Sequence, residues 1–196
     1  MPKSTLIIQG HPDPAPERLC RALAQAYRRG AEAAGAHVRE IDVARLDFPL
    51  LRTEADFHRG PDGAPDAIRR AAADIAWADH LLIIYPLWMG DMPALLKAFF
   101  EQTFRPGFAL SYGDGFPKPM FKGKSARVAV TMGMPKAAYR LLYGAHGVKA
   151  LEKSVLGFAG MKPVRESLFG MVQGKDREKI AKRIDKFRDT GAKDAA

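Results

Sequence analysis

Two histidines and one short apolar loop hold the residue types in this chain that could do chemistry. His11 lies in Gln9-Gly10-His11-Pro12, directly after the apolar run from Thr5 to Ile8. A turn there delivers the amino terminus of a following helix, where unpaired N–H groups and the helix dipole favour a phosphate. His11 is therefore a candidate phosphate contact; the alternative is a solvated loop histidine. His146 lies in Gly144-Ala145-His146-Gly147. An imidazole titrates near neutrality and can trade a proton with a substrate, although taken alone this too reads as an ordinary loop histidine. Between them, Pro86 to Met92 carries Leu87, Trp88 and Met89, three large apolar residues in a segment that should face water. Either this loop folds back onto the core or a flat ligand lies against it.

The elements around that loop say where it sits. Leu81 to Tyr85 is an unbroken apolar run, which suits a central parallel strand covered on both faces. Pro86 has no N–H for the ladder and ends it, and Gly90 and Pro93 mark a loop before a helix from Ala94 to Thr103. Leu95, Leu96, Phe99, Phe100 and Thr103 share one face of that helix, which leaves Lys97, Glu101 and Gln102 outside. The loop thus follows the carboxyl end of a buried strand, the place where open α/β sheets hold ligands.

The remaining elements repeat the same alternation. Before the loop come a strand from Thr5 to Ile8, a helix from Glu17 to about Ala34 and an edge-like strand from Val38 to Val43. A long loop from Asp47 to Gly63 could form a lid or an arm, and a helix opens at Pro65 and ends near Asp79. After it come a strand from Ala126 to Thr131, a helix from Val148 to Phe158 and a strand from Pro163 to Phe169. Last is an amphipathic helix from Lys175 to Arg188, with Ile180, Ile184 and Phe187 inward and its charges solvated. The expected architecture is one α/β domain over residues 1–196, a doubly wound five-stranded parallel sheet in the order 2-1-3-4-5.

Composition narrows the function. The net charge of +9 is uneven: residues 1–100 hold 12 Lys+Arg against 13 Asp+Glu, and residues 101–196 hold 19 against 9. A field of that sign attracts a dinucleotide, a membrane surface or nucleic acid. Nucleic acid is the weaker reading, because no zinc-finger spacing, RNP-type aromatic motif or basic heptad helix accompanies the charge. No apolar run approaches a membrane span and the start lacks a signal-peptide core, so a soluble, cytoplasmic protein is expected. Cys20 is the single cysteine, which permits neither an internal disulfide nor a cysteine metal cluster; within a helix it reads as a buried thiol.

The run YPLWMGDMPALLK, Tyr85 to Lys97, resembles the signature of the flavodoxin-like NAD(P)H:quinone oxidoreductases, the group that includes the modulator of drug activity B proteins and DT-diaphorase. The likeness extends from His11 to about Val172. It implies that Pro86, Leu87, Trp88 and Met89 hold a flavin ring, with FAD as cofactor, FMN as the alternative and NAD(P)H as cosubstrate. It also implies that His11 meets the flavin phosphate. The following Asp13, Pro14, Ala15, Pro16 and Glu17 depart from the family's hydroxyl- and amide-bearing segment, and Arg18 is the charged substitute. Thr131 and Gly133 keep part of a flavin-touching turn.

The same resemblance supplies the expected chemistry. Nicotinamide and quinone would use one cavity in turn, the flavin passing two electrons between them. Amides of Leu87 to Met89 and of Gly133 would stabilise the charge that develops, and Tyr139 and His146 would share the proton. The family spacing is one residue shorter, so Tyr143 is the other possible partner. No metal is needed. Phe108, Tyr112 and Phe116 are candidate substrate walls, or else aromatics tucked onto the core or into a dimer contact. A homodimer is implied, since family cavities are completed by the neighbouring subunit. The rival reading is an electron carrier or a non-catalytic, flavin-binding partner of an ion-efflux system.

Overall fold

The structure is a computed structural model and describes residues 3–112, 116–173 and 177–196. Strand β1 (Ser4–Gln9) leads into α1 (Leu19–Ala33), and β2 (His37–Asp42) into α2 (Glu54–His58) and α3 (Asp66–Trp77). Then β3 (His80–Pro86) leads into α4 (Ala94–Thr103). Two short strands, β4 (Leu110–Ser111) and β5 (Lys118–Pro119), pair antiparallel. The chain continues with β6 (Ser125–Thr131), α5 (Lys136–Leu141), α6 (His146–Lys149) running on as a π-helix over Ala150–Gly157, β7 (Val164–Phe169) and α7 (Arg177–Ala195).

The main sheet has five strands, all parallel, in the order β2-β1-β3-β6-β7. This is the 2-1-3-4-5 order read from the sequence. Its centre, β3, shows why an apolar run without alternation was the right signal. Leu81, Ile83 and Tyr85 pack with α3 and α4, while Leu82 and Ile84 pack with α1 and α7, so both faces need apolar side chains.

Three expectations change. The Asp47–Gly63 segment is not all loop, because the Thr53 Oγ1 accepts the Asp56 N–H at 3.1 Å and starts α2. Gln102, expected outside, is buried at 1% exposure. Its Nε2 donates to the Pro49 carbonyl (2.6 Å) and its Oε1 accepts from the buried Arg105. Arg105 in turn donates to the Asp56 carbonyl at 2.6 Å, so the two side chains pin that segment to the end of α4. Lys175, the expected start of the last helix, lies outside the described residues. The helix runs past Arg188 to Ala195, and Asp194 in that added stretch is buried.

Asp194 anchors a polar cluster at the amino end of the sheet. Its carboxylate accepts from Nε and Nη2 of Arg127 on β6, the latter at 2.9 Å, and from the Tyr27 hydroxyl of α1 at 2.8 Å. Tyr27 Oη also meets His80 Nε2 (2.9 Å), and His80 Nδ1 meets Ser125 Oγ (2.7 Å). Glycines let α1 and α7 close up above this cluster. A Cβ at Gly30 would sit 1.9 Å from the Arg188 carbonyl oxygen, and one at Gly191 would sit 2.2 Å from that of Tyr27.

Removing one member of a buried ion pair leaves the other uncompensated, at a cost of about 3–5 kcal/mol. Asp194→Ala should lower unfolding stability by that amount in urea titration, and the double variant Arg127→Met/Asp194→Leu should recover much of it. The cluster also fixes a pH response. Burial, opposed by Asp194, lowers the His80 pKa from 6.5 to about 4. Between those values the unfolded chain binds a proton that the folded chain refuses, so stability falls as pH drops from about 6.5 toward 4. His80→Gln, which cannot titrate, should flatten that part of the urea-midpoint profile; an unchanged slope would place the acid sensitivity elsewhere.

Candidate functional site

Strand order reverses between β1 and β3, and the loops that leave their carboxyl ends part around a cleft of about 310 Å³. His11 and Arg18 stand on one side and Pro86, Leu87 and Trp88 on the other. Thr131, Met132 and Gly133 form the floor beyond β6, and Val172 and Gln173 close the far end. Seven of the eight residues expected at a cofactor meet here; Met89, the eighth, points fully into solvent.

The turn after β3 explains that exposure. Trp88 and Asp91 exchange N–H···O=C bonds of 2.9 and 3.0 Å across Met89 and Gly90, whose φ values are +51° and +84°. Two left-handed residues in a row make the primed turn of a tight hairpin. Gly90 takes this conformation freely, whereas Met89 takes it at a cost of roughly 1 kcal/mol. The turn is held from behind. Buried Tyr139 donates its hydroxyl to the Gly90 carbonyl (3.3 Å) and accepts the Val148 N–H (3.4 Å). Gly147 packs so closely that a Cβ there would lie 2.6 Å from Gly90 O.

His146, next to Gly147, is exposed, and its ring lies over Gly144, where a Cβ would meet Nε2 at 2.6 Å. Tyr139 and His146 make no hydrogen bond to each other. Tyr143 is also exposed, so the hydroxyl engaged with the turn is that of Tyr139.

The donors in the cleft differ from those anticipated. The Leu87 N–H is spent on the Thr131 carbonyl (2.8 Å) and that of Trp88 on Asp91, so neither is free for a ligand. Met132 likewise gives its N–H to Phe169 (2.9 Å). Met89 and Gly133 retain theirs. His11 Nδ1 accepts the Asp13 N–H at 3.0 Å, which places the proton of the neutral ring on Nε2. Burial lowers the pKa of His11 below 6.5, Asp13 opposes this, and Arg18 and Arg21 add to it. His11 is thus a neutral donor at pH 7, standing edge-on to Trp88 with ring centres 6.0 Å apart. Arg18 is held by Asp13 (Nε to Oδ2, 2.7 Å), which competes for its charge.

Cys20 also lines the cleft and is inert there. Burial pushes its thiol up to about 11, and its Sγ lies 3.3 Å from Thr131 Oγ1. The three candidate substrate walls do not reach this cleft. Phe108 stacks edge-on against Phe121 (5.1 Å) and packs on the core beneath α4, while Tyr112 and Phe116 project into solvent. Conversely, Val172 and Gln173 were missed. They follow β7, so once the strand order is known they must emerge beside the turn after β6, but no residue type marks them. Among the described residues, no group of His, Cys, Asp or Glu is placed to hold a metal ion, and no helix is long and apolar enough to cross a membrane.

A parallel sheet with a cleft at its switch point is the arrangement in which open α/β proteins hold their ligands. The chain belongs to the family with the flavodoxin-like fold, whose model matches residues 3–190. It is 25% identical over 167 residues to an uncharacterized NAD(P)H oxidoreductase of Haemophilus influenzae, a match covering 84% of this chain and 82% of that one. It is 28% identical over 139 residues to an FMN-dependent NADH:quinone oxidoreductase of Nitratidesulfovibrio vulgaris, covering 65% of this chain and 66% of the other. The solved NAD(P)H:quinone oxidoreductase of Methanothermobacter marburgensis superposes with a TM-score of 0.83 over 98% of both chains, at 22% identity. That last likeness concerns the fold.

Proposed function

We propose that this chain is a flavin-dependent NAD(P)H:quinone oxidoreductase, acting as a cytoplasmic homodimer. The observation that carries the reading is the cleft itself: an apolar wall of Leu87 and Trp88 faces the unspent N–H of Gly133, with a neutral histidine donor at the phosphate end. These residues fit a flavin, the wall suiting its ring and the donors its oxygens. FMN is favoured over FAD by the FMN-dependent relative and by the modest volume of about 310 Å³. When bound, the flavin supplies hydride acceptance from NAD(P)H and two-electron delivery to a quinone in the same cleft.

The chain's own residues orient and polarise. His11 offers Nε2–H to the phosphate, and Gly133 offers its N–H toward developing negative charge. Tyr139 keeps the Met89–Gly90 turn in place, which makes it a positioning residue, while exposed His146 stands next to Gly147, which packs on that turn, as the proton donor. Tyr112 and Phe116 reach into solvent and suit a role in walling the second subunit's cleft.

One observation favours the carrier reading instead: Arg18 is occupied by Asp13, which weakens the grip on phosphate. The assay that separates the two is NADH or NADPH oxidation with menadione as acceptor, together with identification of the flavin released on heating. Menadione-dependent turnover and released FMN are expected; a flavin-loaded protein without turnover would favour the carrier. Trp88 is 50% exposed, so Trp88→Ala should cut flavin content about tenfold while shifting apo-protein stability by less than about 1 kcal/mol.

The two proton-side residues should separate cleanly. His146→Ala is expected to slow flavin reduction in single-turnover measurements by about 10²- to 10⁴-fold with stability unchanged. Tyr139→Phe leaves Gly90 O and Val148 N–H without their partner, so it should cost about 1–2 kcal/mol of stability and weaken flavin binding as well. A wild-type reduction rate in His146→Ala would leave that histidine a solvated loop residue.

A further inference from the structure

A groove larger than the cleft lies outside it. It has a volume of about 450 Å³ and follows the chain from Ser167 to Met171, between the start of α5 and the outer face of α7. The strand along it, β7, is last in the sheet order and, among the described residues, pairs with β6 alone. Pro163 and Phe169 turn their carbonyls toward β6, accepting from Ala126 (3.0 Å) and Met132 (2.9 Å). The period of two therefore points the N–H and C=O of Leu168 away from β6, into the groove.

The helices on either face recess this bare edge. Leu168, Phe169 and Phe187 supply apolar walls, and Lys136, Arg183 and Lys186 stand around the rim. None of those three cations makes an ion pair with a carboxylate among the described residues, and Arg183 gives Nη1 to the Gly170 carbonyl at 2.7 Å.

We propose that this groove docks an extended, acidic peptide segment of a partner protein, which adds to β7 as a sixth strand. Its backbone pairs with the N–H and C=O of Leu168; side chains on one face lie beside Leu168 and those on the other beside Phe187, and carboxylates among them meet the three cations. An unblunted sheet edge pairs readily with another chain, and the surrounding charge selects which one. Groove and cleft share a wall, since Met171 N–H bonds Met134 O (3.1 Å) and Val172 N–H bonds Met132 O (3.2 Å). The inference does not depend on the reaction proposed above.

The test uses the full, ¹⁵N-labelled chain and a blocked hexapeptide of alternating valine and glutamate. Saturable shifts are expected at the amides of Leu168 and Gly170 and along α7 near Lys186. Lys136→Glu/Lys186→Glu should weaken binding about tenfold while leaving menadione reduction unchanged. Leu168→Pro deletes the outward N–H without touching the β6 ladder and should abolish binding; should that variant fail to fold, the charge-reversed variant decides. The proposal is overturned if the peptide binds the charge-reversed variant as well as wild type, if shifts cluster around Trp88 instead, or if dodecanoate saturates the groove while the peptide does not.

Discussion

The contact on which the rest of the molecule depends is the buried meeting of Arg127 with Asp194. It joins the fourth strand of the sheet to the last turn of α7, and Tyr27 and His80 extend it to the first helix and the central strand. Such a pair need not stabilise more than apolar side chains of equal volume. Its two-pronged geometry does admit one setting of α7 on the sheet. That setting matters at the opposite end, because the chain between β7 and α7 provides Val172 and Gln173 to the cleft. A polar lock at the amino end of the sheet thus aligns a wall of the site at its carboxyl end.

The site follows from how the backbone's own hydrogen bonds are allotted. Leu87, Trp88 and Met132 give their N–H groups to the fold, which fixes the position of the loops, while Met89 and Gly133 have no such partner among the described residues. Both residues stand in turns that the ladder cannot reach. The β3 loop is fixed on its far side by a phenol and a glycine, so the ligand-facing surface is set by contacts the ligand never makes. This is the usual economy of a preorganised site, in which the supporting layer consumes most of the polar groups.

Sequence legibility followed the range of the interactions involved. β3 was plain because burial on both faces demands an apolar side chain at every position, and the loop after it was plain because Pro86, Gly90 and Pro93 act locally. Seven of eight cofactor candidates were brought together by topology alone. What escaped notice was set by partners far along the chain. Gln102 looks like a surface residue until Pro49, 53 positions away, is brought to it, and Asp194 looks solvated until Arg127 arrives from 67 positions away. The spent amides of Leu87 and Trp88 were equally invisible, since hydrogen-bond registry across strands leaves no trace in residue type.

The glycine-to-backbone contacts between α1 and α7 carry a consequence for how the molecule breathes. With Gly30 against Arg188 and Gly191 against Tyr27, no side chain separates the two helices at those two points, and neither can loosen without baring the other's backbone. They therefore open and close as one cooperative unit. The cleft takes Cys20 from the first helix and Val172 and Gln173 from the chain leading to the second, so a ligand held only by the folded form would slow exchange across the whole unit. Amides along α7, far from any ligand atom, become reporters of whether the cleft is filled.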